Sequence, residues 1–363
     1  NWIITYDDTP EIIELYKQQC IRRYDLNYSA ANTGKSSEVI VFNDNKFWSK
    51  DFDRFTEDKE LIKLVKGSTK SLQELKDMTL EPLVKKILPL EELSPKKAWT
   101  FIISTGKRGA YKRNGTYFCP LCIENENSFN LRREFRLAWN TSCSIHKINL
   151  LQKCQKCNTI FTPNKIKFDN AKPFLCTNCG YDLRNSDTKE ANKEVYIFQE
   201  KLNNAIFKEE IDQKFPLVEK NIEELFKTLR ILLSFLRALF KTNKGIKFLE
   251  KLNLEYMKED LDKNKTSDNF EDMELENREM YLLIVSRLFN LKLQAIKDIF
   301  EELKFSYKLV VKQSTLKSQT IDYLASNLEI NFKNKSVTGT YKEIIPKSAK
   351  EVKILFEELK KCL

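Results

Sequence analysis

The sequence predicts a mainly α-helical fold with, in its middle, a module of small β elements held together by side-chain ligation. Two observations carry this. Apolar residues recur at helical spacing, with charged opposite faces, over 194–207, 218–241 and 280–303. Ahead of these helices, seven of the nine cysteines and the only histidine crowd into 119–179. They stand in four ordered pairs: Cys119-x-x-Cys122, Cys143-x-x-His146, Cys154-x-x-Cys157 and Cys176-x-x-Cys179.

Eight such residues are enough for two closed tetrahedral sites, and pairs at this spacing are the pattern of structural zinc. A redox reading needs a helix start in an α/β context, which is absent. The all-cysteine set also suits an iron centre, but the neighbouring set contains histidine, which favours two Zn²⁺ ions. Consecutive ligation is the simpler arrangement, with Cys119, Cys122, Cys143 and His146 on one ion and Cys154, Cys157, Cys176 and Cys179 on the other. Spacing alone leaves a cross-braced alternative open. Cys20 and Cys362 lie outside the cluster.

Taken in order, residues 1–98 read as an N-terminal helical region. Pro10 followed by Ile12, Ile13, Leu15 and Tyr16 suits a helix with proline in its first turn. Residues 33–53 are polar and irregular, with a short strand at 39–42. Apolar spacing then marks helices over 61–65 and 72–83, the second opened by a Ser71/Glu74 capping box. The pair reads either as a helix-turn-helix or as a plain helical hairpin. The zinc module spans 99–185, with a helix expected over 131–139 because Leu131, Phe135 and Trp139 recur every four residues.

A helical domain is expected over 186–310. Within it, 241–245 reads as a helix C-terminus, basic residues before glycine, and 259–279 as an acidic mobile linker. Residues 311–363 form a terminal helical or winged unit ending in a helix over 348–359. No apolar run approaches the roughly 20 residues of a membrane span, and a secretory signal is not expected from the opening Asn1-Trp2-Ile3-Ile4. Unoxidised C-x-x-C pairs suit a reducing cytoplasm.

Charge is concentrated. Residues 101–185 hold fourteen Lys and Arg against five Asp and Glu, a surplus of nine in a chain of net +10. That is the electrostatic footprint of a nucleic-acid binder. The candidates for phosphate contact are Lys107, Arg108, Lys112, Arg113, Arg132, Arg133 and Arg136. Catalysis is not expected: the sole histidine sits in a ligand slot, closed thiolate-rich sites leave no position for water, and no phosphate loop precedes Gly34-Lys35-Ser36. Neither a small-molecule substrate nor a membrane is implied.

The text around the ligands resembles the TniQ family. The likeness runs through Tyr117-Phe118-Cys119-Pro120-Leu121-Cys122, Leu131 to Trp139, Cys143-Ser144-Ile145-His146, Leu150 to Cys157 and Cys176 to Arg184, with Met78-Thr79-Leu80 just upstream. The usual glycine after the histidine is Lys147 here. TniQ and TnsD proteins choose transposon target sites. The resemblance therefore implies zinc-ribbon binding to double-stranded DNA and recruitment of a TnsC-like AAA+ transposition regulator in a prokaryotic cytoplasm; some relatives dock on an RNA-guided complex instead. The alternative expectation is a zinc-stapled protein-interaction scaffold with no direct DNA contact.

Overall fold

The computed structural model describes residues 3–7, 9–16, 20–27, 35–42, 51–54, 61–62, 65, 69–87, 99–105, 115–124, 131–162, 172, 174–258, 269–311 and 316–328, the strands as backbone only. The mainly helical class holds. The N-terminal region differs from its expectation, because it contains an antiparallel sheet. Strands β1 (Ile3–Asp7), β2 (Cys20–Asn27) and β3 (Lys35–Phe42) pair in the order β1-β3-β2. The register sets Ile3 and Cys20 both opposite Phe42. The short strand expected at 39–42 is the end of β3.

Helix α1 (Pro10–Leu15) has proline in its first turn and Thr9 as N-cap. Helix α2 (Leu72–Met78) carries the full capping box: Glu74 N–H donates to Ser71 Oγ at 3.2 Å, and Ser71 N–H to Glu74 at 2.8 Å. The Glu74 carboxyl, held chiefly by that backbone N–H, is pulled down to about 2. The helix expected to run on to 83 stops at Thr79, whose backbone is extended, and α3 (Glu81–Val84) begins anew. Pro82 is the reason: inside a continuous helix its ring would strike the carbonyl four residues back and offer no N–H. Only Leu61, Ile62 and Val65 of the helix expected at 61–65 are described, so the helix-turn-helix geometry lies outside the described residues, as does the helix expected at 348–359.

The C-terminal half is helix packed on helix. It comprises α4 (Lys193–Phe207), α5 (Ile222–Leu239), α6 (Lys244–Lys251), α7 (Leu275–Phe289), α8 (Leu293–Glu302), α9 (Tyr307–Val311) and α10 (Gln319–Ala325). Helix α5 is the hub, touching α6, α7, α9 and α10, while α4 lies on α7. Gly245 is not a helix end: it sits inside α6, where an added Cβ would come within 3.0 Å of the Phe240 ring. The single helix expected over 280–303 is two, divided at Asn290–Lys292, with Lys292 extended at φ −69° and ψ 149°.

The expected acidic linker is corrected over its described part. Phe270–Asp272 is a 3₁₀ turn, and Glu271 is buried, accepting from Phe101 N–H at 2.6 Å and Arg230 Nη1 at 2.7 Å. One hydrophobic core runs from Leu80 to Leu328, joining the cysteine module to every helix from α4 to α10. A second, smaller core gathers Phe118, Ile123, Phe161, Phe174 and Leu183 around Cys154 and Cys176.

Candidate metal centres

Three of the four ligand pairs are built by the same short hairpin. In each, the first cysteine donates its N–H five residues ahead: Cys143 to Ile148 O, Cys154 to Thr159 O and Cys176 to Tyr181 O. The residue four ahead donates back to the cysteine carbonyl, from Lys147, Asn158 and Gly180. A closing bond follows from Leu150 to Thr141, from Phe161 to Gln152 and from Leu183 to Phe174. Lys147, Asn158 and Gly180 take left-handed φ values of 55°, 59° and 68°. The turn must fold back at once after the second ligand, and an L side chain is strained there. Glycine meets this requirement in the last hairpin, while lysine bears the strain in the first. The Cys119 pair is different, with Cys122 and Ile123 N–H both donating to Cys119 O.

The hairpins bring the eight side chains into two clusters, Cys119/Cys122/Cys143/His146 and Cys154/Cys157/Cys176/Cys179, with the ligand atoms of each within 4.8 Å of one another. This is the consecutive arrangement. A tetrahedral ion with sulfur at about 2.3 Å sets sulfurs about 3.8 Å apart, and nitrogen slightly closer. The observed Cys122–Cys143, Cys157–Cys176 and Cys154–Cys179 sulfur separations are 3.5, 3.5 and 3.7 Å. His146 Nδ1 lies 3.4 Å from the Cys119 and Cys122 sulfurs and 3.6 Å from that of Cys143. These separations fit a small tetrahedral cation and are far too long for the roughly 2.05 Å of a disulfide. At the second site Thr159 Oγ1 lies 3.2 Å from Cys157 Sγ, and that hydroxyl holds the thiol below its usual range.

The two sites are supported differently. Cys119 and Cys143 belong to the large core. Beside them Trp139 packs on Phe226 at 5.0 Å and on Phe101 at 5.6 Å, and its indole N–H donates to Asn203 Oδ1 at 2.9 Å. Gln199 of α4 clamps the hairpin base: its oxygen accepts from Thr141 and Ser142 N–H at 3.0 and 3.1 Å, and its Nε2 donates to Ser142 O at 2.9 Å. The second site rests on the small core and is pinned by Arg184, which stacks 3.8 Å over Phe174 and bonds Asp182 at 2.7 Å. Those bonds hold the Asp182 carboxyl below its usual range. Gly115 is needed where the strand before Cys119 crosses Phe161, since a Cβ would fall 2.2 Å from Phe161 O.

Of the seven predicted phosphate contacts, Lys107, Arg108, Lys112 and Arg113 lie outside the described residues. The expected helix at 131–139 is a single 3₁₀ turn, Arg133–Arg136, after which the chain pairs with 101–103 through Ile103 N–H to Arg136 O and Ala138 N–H to Phe101 O. That pairing turns Arg136 inward, away from the phosphate contact expected of it. It is 3% exposed, and its five N–H groups go to Ile103 O twice, to Asp51 twice and to Asp53. Arg133 caps α2 by donating to Asp77 O and, at 3.0 Å, to Thr79 O. Arg132 pairs with Glu134 at 3.1 Å and donates to Ser144 Oγ at 3.0 Å, so it props the hairpin of Cys143.

Sequence reasoning also missed Gln199, Asn203 and Arg278. Arg278 is fully buried, with Nη1 donating to Ala138 O at 2.7 Å and the guanidinium 4.7 Å over Tyr117. Gln199 and Asn203 were signalled only as polar residues on the apolar face of the helix expected over 194–207, and Arg278 lay in the segment expected to be a linker.

Fold and clusters together define a helical protein whose irregular middle carries two tandem four-residue clusters that could each hold a metal ion. The family model of TniQ matches residues 27–150, about a third of the chain. The match takes in the first cluster and ends before Cys154, so the second cluster and the helical half lie beyond it. The family is one of non-catalytic adaptors associated with target selection in transposition. No curated protein matches the chain.

Proposed function

We propose that the protein is a zinc-containing, non-enzymatic target-selection adaptor, which binds double-stranded DNA and offers a protein surface to an AAA+ transposition regulator. The observation that carries this reading is the family match over a segment that contains a fully converged four-ligand site. Zinc suits both donor sets, three thiols with an imidazole and four thiols. Bound there it would act as a structural staple, without redox chemistry. DNA contact would fall to Lys107, Arg108, Lys112 and Arg113, since Arg132, Arg133 and Arg136 serve the fold.

The second reading, a scaffold that docks on an RNA-guided or other DNA-bound complex, is favoured by that same internal use of the arginines. It is also favoured by a groove of about 780 Å³ beside the first site, where Met78, Leu121 and Ile145 are exposed. Binding of the zinc-loaded protein to duplex DNA across a salt series separates the two. Direct contact gives affinity that falls linearly with the logarithm of salt, with a shallower slope after charge reversal at Lys107, Arg108, Lys112 and Arg113. No binding at low salt would refute the DNA-contact reading and leave the scaffold.

A further inference from the structure

A second cavity, about 630 Å³, opens between the loop leading into α4, the 3₁₀ turn Glu255–Met257 and helix α7. Its floor is apolar, formed by Met257, Met280 and Leu283, each buried. Tyr256 stands at its lip, 67% exposed, the most open aromatic side chain among the described residues. Around the mouth the charge is acidic. Glu190, Glu276 and Glu279 face a single cation, Lys189. Glu190 and Glu276 are exposed and make no ion pair among the described residues. Glu279 is fixed from behind by Asn149 Nδ2 and Asn192 N–H, both at 3.3 Å.

This acidity is a property of the chain. Residues 259–279 carry nine Asp and Glu against three Lys and Arg, in a protein of net charge +10. The site thus combines an adaptable methionine-rich floor, an aromatic lip and a negative rim. Phosphate-bearing polymers and anionic surfaces are repelled by such a rim. Methionine floors accept apolar side chains of varied shape, and cavities of this size hold several residues of a peptide.

We propose that this cavity is a docking site for a cationic peptide segment of a protein partner, one with a large apolar side chain seated between Tyr256 and the two methionines and flanking Lys or Arg on the carboxylates. The cavity would give the adaptor reading its protein-facing surface, and it does not depend on DNA contact. Its loop is tied to the first metal hairpin, Ala191 N–H donating to Lys147 O and Asn149 N–H to Lys189 O, so an occupant would sit against the back of that hairpin.

The test is fluorescence anisotropy of a labelled Lys-Arg-Leu-Phe-Lys-Arg peptide on the zinc-loaded full chain. Saturable binding is expected, weakened at least tenfold by Glu190→Lys with Glu276→Lys, similarly by Tyr256→Ala, and unchanged by Asp298→Lys on α8. A peptide with Ser-Ser in place of Leu-Phe should lose binding as well. The proposal is overturned if the peptide does not saturate, if the double charge reversal leaves its affinity unchanged, or if the Ser-Ser peptide binds equally well. A wild-type protein that self-associates and becomes monomeric in the double variant would also overturn it, because the occupant would then be a second copy. Duplex DNA retention is measured on the same samples: its loss in wild type sinks the DNA-contact reading alone, whereas peptide binding decides the cavity alone.

Discussion

Replacing Arg136 separates a structural cation from a DNA-binding one. In Arg136→Ala the carboxylates of Asp51 and Asp53 lose their partner, and Ile103 O loses two donors at 2.9 and 3.1 Å. Stripping one partner from a fully buried ion pair costs about 3–5 kcal/mol. Here the Asp51 and Asp53 side chains are 20% and 44% exposed, so water takes up part of the orphaned charge. The expected loss is therefore about 2–4 kcal/mol, a fall in Tm of about 5–10 °C for a unit of this size. Arg136→Lys should recover little, since an ammonium cannot reproduce a five-donor fork. Adding Asp51→Asn and Asp53→Asn to the alanine variant should recover part of the loss. The assay is thermal melting of zinc-loaded protein by circular dichroism, with DNA retention measured on the folded fraction. An unchanged Tm together with a shallower salt dependence of DNA binding would refute the buried assignment and return Arg136 to the phosphate contacts.

The metal sites yield two further expectations. Cys157→Ser should release one ion and loosen the small core while the main thermal transition survives, whereas Cys119→Ser should abolish that transition; zinc stoichiometry and near-ultraviolet circular dichroism would read both, and equal damage from the two would count against separate cores. At Lys147, glycine should be more stable than alanine by about 1 kcal/mol, because only the former relieves the left-handed backbone. Both variants lose the lysine's contact with Tyr196, 5.4 Å away, so denaturant melts of the pair isolate the backbone effect, and alanine matching glycine would remove the strain argument.

The two four-residue clusters were legible because their members stand in short, chemically distinctive spacings, and the capping box at Ser71 and Glu74 for the same reason. Helices α4 and α5 could be read from a stripe that one face of one helix carries. What escaped depends on partners far away in the chain. The β1-β3-β2 sheet is an exception, since it pairs segments within the first 42 residues; only its end at 39–42 was read as strand, although Asn32-Thr33-Gly34 precedes β3. Arg136 and Glu271 looked like solvated charge because their partners lie 85 and 170 residues away, at Asp51 and Phe101. The stripe over 131–139 was real: Phe135 and Trp139 are fully buried. Its period was misread, because pairing with 101–103 replaced the helical bonds. The break at Pro82, by contrast, was available in the sequence and was passed over.

The division of the two metal sites between cores also bears on how the chain is made. A ribosome releases residues from the N-terminus onward, and domains settle as their parts emerge. The second site needs only 115–123 and 151–184, its small core being complete once Leu183 is out. The first site is encoded earlier, yet its surroundings wait for Gln199, Asn203 and Phe226. The ligands that appear first are thus the last to be enclosed. During that interval Cys119, Cys122, Cys143 and His146 stand open on a tethered chain, so a nascent protein whose later site has already taken up its ion would still expose the earlier ligands to oxidants.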